Sequence, residues 1–339
     1  MQAIAGILGC VGDTPLVELT GFLRDLPARV YAKLEMLNPG GSVKDRPALA
    51  IIEDLAACGQ LIPRVTHLIE SSSGNLAVGL AQACRYHGVR FTCVVDLKTS
   101  PQNIAILRAY GAEVDVVTEP DPETGEFLAA RLTRVRELLA ASPNAFWPNQ
   151  YANPLNPRAH HTTMREIVEQ LGDAPDIVLC STGTCGTIIG VSEYVAEQGL
   201  PTRVIGVDAV GSVIFGDLGR SRLIPGHGAS RRPEILGTSD PAEIVHVSDL
   251  DCVVGCRRLM AREAILAGGS SGAVVTALER LRDVIAAGSR VAIILPDRGE
   301  RYLHSIYDDA WVAATFGDVA HLWNDSGLVA SGRNSISVN

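Results

Sequence analysis

One lysine in this sequence stands where its side chain could act as a nucleophile. Lys44 lies in the segment Ser42–Pro47, SVKDRP, directly after the rigid turn Asn38–Gly41 and at the start of an apolar helix. A lysine at the mouth of a helix is usually solvated. A partly desolvated lysine instead has a lowered pKa and an amine that attacks aldehydes. Lys44 is therefore a candidate for imine formation with an aldehyde.

A glycine-rich turn offers a site for a phosphate. The segment Gly183–Thr187, GTCGT, joins the apolar strand DIVLC to a helix that begins near Ile188. Glycines leave the backbone N–H groups uncovered, and the helix N-terminus adds positive potential, so an anion is favoured there. The trailing lysine of a nucleotide-binding P-loop is absent, and so is GxGxxG. The segment predicts either a phosphate site without a nucleotide motif or a bare turn.

Two more polar turns could bind a ligand. The segment Glu70–Asn75, ESSSGN, combines three hydroxyls with an amide side chain, which suits a carboxylate, although it could equally be a helix cap with redundant serines. The segment Gly268–Gly272, GGSSG, is either a further binding turn or a flexible link between two helices.

The elements around these turns alternate between strand and helix. VYAKLE is a short strand, a helix follows from about Arg46 to Gly59, and the alternation continues through EVDVVT. A second series, from TTMREIVEQLG to RVAIILPD, follows the Pro/Asn-rich stretch WPNQYANPLNPRAHH. This rhythm predicts an α/β fold with parallel strands joined by right-handed crossovers. Ligands bind at the carboxyl ends of such strands, so we expect the polar turns to form one site.

Composition limits the possible functions. The chain has 339 residues, 47% of them hydrophobic and 20% charged, which is typical of a soluble globular protein. Its net charge of −9 and its aromatic content of 5% argue against a nucleic-acid partner. No apolar run reaches the roughly 18 residues of a membrane span, and the first residues lack the pattern of a secretory signal, so we expect a cytoplasmic protein. The eight cysteines show no CxxC, which predicts free thiols without a zinc site or disulfides.

Taken in order, the motifs resemble the fold-type II pyridoxal-phosphate (PLP) enzymes of the cysteine synthase and cystathionine β-synthase family. The similar segments are GDTPLVEL, KLEMLNPGGSVKDR, ESSSGN, NQYANPLNP, GTCGT, GGSSG and PDRGERYL, which span about residues 10–310. The resemblance implies two open, mostly parallel, twisted sheets flanked by helices, with the active site in the cleft between two domains. It also implies the cofactor PLP, small amino-acid substrates, a homodimer, and neither a metal nor a nucleic-acid or membrane partner.

The change of pattern near residue 145 indicates a domain boundary. With the resemblance, it predicts an N-terminal domain that carries the PLP lysine over residues 1–145. Within it, residues 10–35 would pack on the larger domain and residues 36–145 would form a smaller mobile domain. Residues 146–315 would form the larger domain, which holds the PLP phosphate, and residues 316–339 a peripheral tail.

The resemblance also implies residue roles. Lys44 matches the lysine that holds PLP, and Ser270 matches the hydroxyl that faces the pyridine nitrogen, an arrangement that favours β-elimination and replacement. Asn75 matches a contact to the 3′-oxygen of the cofactor and to the substrate carboxylate. The other carboxylate contacts would be Ser72, Ser73 and Gln150. The cup for the PLP phosphate would consist of Gly183, Thr184, Cys185, Gly186 and Thr187, with Gly226 and Gly228 lining the mouth of the cleft.

Several positions depart from the family pattern. Leu76 and Ala77 replace the usual Thr and Gly, Cys185 replaces a Gly, Tyr151 replaces a Phe, and TTMREI introduces Arg165. With the ending PDRGERYLHSIYDDAW, these departures resemble the subfamily of N-(2-amino-2-carboxyethyl)-L-glutamate synthases. That resemblance implies a transferase that performs β-replacement on O-phospho-L-serine with L-glutamate. This reaction begins 2,3-diaminopropionate synthesis for siderophores and antibiotics.

Such substrates carry a departing phosphate and additional carboxylates, which need cationic partners. Arg131, in the apparent helix FLAARLTRVREL, is our hypothesis for the departing phosphate, with Tyr151 assisting. Arg165 and Arg220 are weaker candidates, because an arginine is more often a partner in a surface ion pair.

Three other functions fit the same motifs. A cysteine synthase would use O-acetylserine or O-phosphoserine with sulfide, and a serine dehydratase would release the eliminated product to hydrolysis. A PLP-binding regulatory subunit without catalytic activity belongs to a different functional class, and the intact set of Lys44, Asn75 and Ser270 argues against it.

Overall fold

The computed structural model describes residues 3–21, 28–216, 218–237 and 243–324, and it contains two sheets with helices around them. The strands are β1 (Leu16–Glu18), β2 (Arg29–Leu34), β3 (His67–Ser71), β4 (Arg90–Asp96), β5 (Glu113–Val117), β6 (Ala145–Phe146), β7 (Ile177–Ser181), β8 (Arg203–Ala209), β9 (Ile244–Val247) and β10 (Arg290–Leu295). The α-helices are α1 (Asp45–Ala57), α2 (Asn75–His87), α3 (Pro101–Ala109), α4 (Phe127–Ala140), α5 (Leu155–Arg158), α6 (His161–Leu171), α7 (Gly186–Glu197), α8 (Asp249–Glu263), α9 (Gly269–Arg280) and α10 (Asp309–Phe316).

The smaller sheet is parallel throughout. Its strand order is β5-β4-β3-β6, and every residue of β3 is buried. A strand covered on both faces has an almost continuous apolar sequence, as in FTCVV of β4. Helices α1 and α2 pack on this sheet through a shared core that includes Ile51, Ile52 and Leu80.

The larger sheet combines strands from both ends of the chain. Its order is β1-β2-β10-β7-β8-β9, parallel except for the antiparallel pair β1–β2. Strand β2 pairs with β10 over Arg290–Leu295, so the N-terminal strands belong to this sheet rather than to the smaller one. The α/β class with two mostly parallel sheets is confirmed. The division into domains stays a prediction.

Several elements differ from the sequence-based prediction. Strands β1, β6 and β9 were not predicted, because two to four residues carry too little periodicity to be recognised. Helix α8 begins earlier than CRRLMAREAILAG indicated, at Asp249, because Ser248 and Asp251 form a capping box there. Helix α9 starts directly in GGSSG, so that segment is not a link between two helices.

The predicted C-terminal tail divides at residue 324. Phe316, Val319 and Trp323 pack against the core of the larger sheet, while residues 325–339 lie outside the described part of the chain. Among the described residues, none of the helices combines the length and apolar character needed to cross a membrane.

Candidate active site

A single cavity lies where strands of both sheets reach their carboxyl ends. It is lined by the turns that follow β3, β7 and β10, by the start of α1, and by the start of α9. The predicted site residues that line this cavity are Lys44, Ser72, Ser73, Asn75, Arg131, Gln150, Tyr151, Gly183, Thr184, Cys185, Gly186, Thr187, Gly226, Gly228 and Ser270. The structure thus brings together turns that are more than two hundred residues apart in the sequence.

Lys44 immediately precedes α1 and faces this cavity. The backbone N–H of its neighbour Val43 donates to the carbonyl oxygen of Pro296 at 2.7 Å, which ties the lysine to the end of β10. Burial lowers the pKa of Lys44, while the carboxylate of Asp297 acts in the opposite direction. The amine is therefore more readily neutral, and hence more nucleophilic, than that of a surface lysine.

Asp297 is a buried carboxyl group of the cavity wall that sequence reasoning did not single out. Its Oδ2 accepts hydrogen bonds from Nδ2 of Asn75 at 2.9 Å and from the hydroxyl of Tyr302 at 2.8 Å, and its Oδ1 has no partner. Burial raises the pKa of Asp297, whereas the hydrogen bond from Asn75 lowers it. The available signal was its place in PDRGERYL, directly after a buried strand.

The Gly183–Thr187 turn is built around an uncapped helix start. Cys185 adopts a left-handed conformation with φ 65° at the N-cap of α7, and no side chain caps that helix. The hydroxyl of Thr184 accepts a hydrogen bond from Nδ2 of Asn156, and the hydroxyl of Thr187 forms a hydrogen bond with Nε2 of His160. The first N–H groups of a helix lack an acceptor within the helix, so this turn presents donors and positive potential to the cavity.

The thiol of Cys185 lines the cavity and does not act as a nucleophile. Burial raises its pKa to about 12, so the thiol stays protonated at neutral pH.

Glu70 connects the two loops predicted to bind a carboxylate, and it was missed at the sequence level. It is buried at the end of β3, and its Oε1 accepts from the backbone N–H of Ser71 at 2.8 Å and from Nε1 of Trp147 at 3.2 Å. The backbone N–H groups of Gln150 and Asn149 also lower its pKa, while its Oε2 is buried without a hydrogen-bond partner. Burial raises the pKa of Glu70 to about 7.

Arg131 projects from α4 into the cavity with unsatisfied donors. Its side chain is 12% exposed, and its Nε lies 3.3 Å from Oδ2 of Asp96. Both Nε and Nη1 are buried without a hydrogen-bond partner. Burial raises the pKa of the neighbouring Tyr151, and the positive charge of Arg131 is the largest effect that opposes this rise. An anion in the cavity would satisfy these donors.

Two candidate arginines are not brought to the cavity. Arg165 is 52% exposed on α6, where its Nε lies 3.6 Å from Glu169, whereas Met164 and Ile167 of the same helix are buried in the core. Arg220 is exposed and does not line the cavity. The structure therefore does not support the prediction that Arg165 or Arg220 contacts the substrate.

A buried charge network holds the helix that follows Lys44. Arg46 pairs with both Glu35 and Glu166 at 2.7 Å, and Lys33 pairs with Glu166 at 2.7 Å. All four side chains are at most 4% exposed. Although burial disfavours its charge, the hydrogen bonds from Arg46 lower the pKa of Glu166 to about 2. The network anchors α1 to the larger sheet and to α6.

The family model described as pyridoxal-phosphate dependent enzyme matches residues 7–297 of this sequence. The chain belongs to this family. The PLP-dependent enzyme is 50% identical over 308 residues to a protein of Ralstonia nicotianae named N-(2-amino-2-carboxyethyl)-L-glutamate synthase, covering 91% of this chain and 90% of that protein. It is 47% identical to a protein of the same name from Cupriavidus metallidurans, covering 91% of each.

Solved structures of related enzymes share the fold. An O-acetylserine dependent cystathionine β-synthase from Helicobacter pylori superposes with a TM-score of 0.82 at 33% identity, covering 91% of this chain and all of the other. O-ureido-L-serine synthase gives a TM-score of 0.83 at 31% identity, covering 92% of this chain and all of the other.

The residues of the cavity fit PLP. PLP carries an aldehyde and a phosphate. The amine of Lys44, whose pKa is lowered, can react with the aldehyde, and the uncapped start of α7 can bind the phosphate. Both line the same cavity. A cofactor that carries both groups on one ring needs an amine and an anion site in the same cavity.

Proposed function

We propose that this enzyme replaces the phosphate of O-phospho-L-serine with the amine of L-glutamate. The products are N-(2-amino-2-carboxyethyl)-L-glutamate and inorganic phosphate, and the reaction is the first step toward L-2,3-diaminopropionate. The observation that carries the proposal is the identity of 50% and 47% to two synthases of that name over nine-tenths of the chain.

In this proposal, Lys44 is the residue to which PLP is attached. Bound PLP supplies an electron sink for negative charge that develops at the α-carbon of the substrate. The amine of Lys44, once released, removes the proton from that α-carbon and later returns it. The lowered pKa of Lys44 supports this assignment, because a neutral amine is needed to react with the aldehyde and to accept the α-proton, which the resulting ammonium can then return.

The remaining cofactor contacts would come from three turns. The backbone N–H groups and hydroxyls of Gly183–Thr187 would hold the phosphate, and the hydroxyl of Ser270, on the first turn of α9, would face the ring nitrogen. Asn75 would reach the 3′-oxygen, and its present hydrogen bond to Asp297 keeps its side chain at the cavity wall.

The substrate would be held at both of its charged ends. Ser72, Ser73, Asn75 and Gln150 would donate to the α-carboxylate, and Glu70 would keep the two loops that carry them in register. Arg131, with Tyr151, would bind the phosphate and stabilise the charge that develops as it departs. Its two unpaired, buried nitrogens support this role.

Substrate preference tests the proposal directly. Purified enzyme with PLP is mixed with O-phosphoserine or O-acetylserine, and then with glutamate or sulfide, while phosphate release and product mass are measured. We expect phosphate release with O-phosphoserine and a product that contains glutamate. Turnover of O-acetylserine with sulfide, without any reaction of O-phosphoserine, would instead identify a cysteine synthase. No turnover with any pair would support a binding subunit.

We further propose that the enzyme acts in the cytoplasm as a homodimer. All eight cysteines are unpaired, which suits a reducing compartment. The dimer rests on the family resemblance, and light scattering coupled to gel filtration tests it by measuring about twice the chain mass of 35.9 kDa.

A further inference from the structure

A second arginine lies beside the mouth of the cavity, on the side of the larger sheet. Nη1 of Arg222 donates to the carbonyl oxygen of His227 at 2.9 Å. The neighbours of His227 in the chain, Gly226 and Gly228, both line the cavity. Arg222 is therefore one residue removed from the cavity wall, and the hydrogen bond holds its guanidinium there.

The backbone around Arg222 is anchored at the start of a helix. The N–H groups of Leu223 and Ile224 donate to the carboxylate of Asp249 at 3.0 and 3.3 Å, and Asp249 is the first residue of α8. The position of the guanidinium is thus fixed by its side chain and by its backbone.

Gly228 allows the guanidinium to approach. Its φ of 69° lies in the left-handed region, and a Cβ at this position would stand 2.7 Å from Nη1 of Arg222. Any other residue at this position would displace the arginine from the wall.

The guanidinium of Arg222 has donors without acceptors. Its Nε is buried and lacks a hydrogen-bond partner. Burial lowers the pKa of Arg222, and the negative charges of Asp208 and Asp249 oppose this shift. Asp208 accepts from Thr182 at 2.8 Å and from the backbone of Ala209 at 2.9 Å through Oδ1, and its Oδ2 has no hydrogen-bond partner. A buried donor without an acceptor is costly, so the position of this half-buried guanidinium beside a cavity points to an anionic ligand.

Arg222 and Arg131 approach Tyr151 from different elements. Burial raises the pKa of Tyr151, and the charges of Arg131, Arg231 and Arg222 all act against that rise. Arg231 is already paired with Glu234 at 2.7 Å. Arg131 and Arg222 therefore both bring a buried Nε without a hydrogen bond close to Tyr151. Besides the serine carboxylate, the proposed reaction brings three anionic groups to the cavity, the departing phosphate and the two carboxylates of glutamate.

We propose that Arg222 binds the side-chain carboxylate of the acceptor amino acid and makes the enzyme select a dicarboxylic acceptor. The inference rests on the proposed function, in which Arg131 is occupied by the phosphate of the first substrate. Arg222, at the mouth, then meets the second substrate as it enters.

Steady-state kinetics of Arg222→Ala and Arg222→Lys test the inference. The KM for glutamate should rise by about 10-fold to 100-fold in Arg222→Ala, as expected for the loss of a hydrogen bond between charged groups. The KM for O-phosphoserine should change by less than about twofold. Arg222→Lys should fall between, because an ammonium keeps the charge but not the planar fork.

Glutarate gives a second readout that does not depend on the chemical steps. It has two carboxylates but no amine, so it occupies the acceptor site without reacting. Its inhibition constant against glutamate should rise with the KM for glutamate in Arg222→Ala. The matched control is Arg203→Ala, which removes a positive charge from an exposed ion pair with Glu243 at the amino end of β8 and should leave both constants unchanged.

The contrary results are distinct. An unchanged KM for glutamate in a folded Arg222→Ala protein would overturn the role of Arg222 alone, and so would an equal rise in the KM for both substrates. If the unsubstituted enzyme failed to use glutamate, the proposed function would fall and the inference with it.

Discussion

Arg46 and Arg131 are both largely buried arginines, and they differ in how their donors are used. Arg46 is saturated, because it makes paired contacts at 2.7 Å with the carboxylates of Glu35 and Glu166. Arg131 has one ion-pair contact, between Nε and Asp96 at 3.3 Å, and its buried Nε and Nη1 form no hydrogen bond. A saturated guanidinium holds the scaffold together, whereas an unsaturated one beside a cavity is available to a ligand. Burial alone does not distinguish the two.

The largest expected effect is a loss of stability when Arg46, but not Arg131, is replaced. Arg46→Met leaves Glu35 and Glu166 buried without their main partner, so we expect the free energy of unfolding to fall by about 3–5 kcal/mol. Urea denaturation followed by circular dichroism measures it. Arg90→Met is the control, because its pair with Glu113 is exposed, and a loss of at most about 1 kcal/mol is expected. Equal losses in both variants would contradict a structural role for the network.

The second prediction concerns activity. Arg131→Met should leave the free energy of unfolding within about 1 kcal/mol of the original, because Arg131 has few bonds to lose. The kcat/KM for O-phosphoserine should fall by about 100-fold, the usual cost of removing a group that stabilises developing charge. Activity on O-acetylserine, which has no phosphate, should fall much less. If the activity on both substrates fell equally, Arg131 would not bind the phosphate of O-phosphoserine.

The smallest expected effect is a change of stability with pH that is due to Glu70, a buried carboxyl group without a cationic partner among the described residues. Burial raises the pKa of Glu70 to about 7, above the value of about 4.3 expected in the unfolded chain. The folded state therefore favours protonated Glu70, and this contribution to stability is lost as the pH rises through 7. Between pH 6 and 8, the loss from this one group is about 1 kcal/mol.

Glu70→Gln removes the titration and keeps an acceptor for Ser71 and Trp147. The stability of Glu70→Gln relative to the original enzyme should therefore increase from pH 6 to pH 8, as measured by urea denaturation at both values. A difference that stays constant with pH would show that Glu70 is charged throughout this range.

The accuracy of sequence-based prediction varied with how local each feature is. The strand of β7, the turn Gly183–Thr187 and the start of α7 follow one another in the chain, so their pattern was recognisable without the fold. Asp297 became visible only through its hydrogen bond to Asn75, 222 residues earlier in the chain. Glu70 was part of a motif that had been recognised, yet its contact with Trp147 depends on how β3 packs against a distant loop.

The sequence by itself determined the chemistry that is available. Lys44, its glycine-rich neighbours and the turns with hydroxyl groups are local patterns, and local backbone preferences are encoded in neighbouring residues. Only the tertiary structure decided which charged side chains lie in the cavity beside Lys44. Arg131 and Arg165 both lie on helices, and packing turned one toward the cavity and the other toward solvent. The physical reason is that charge saturation depends on partners from distant segments, which are brought together only when both sheets pack.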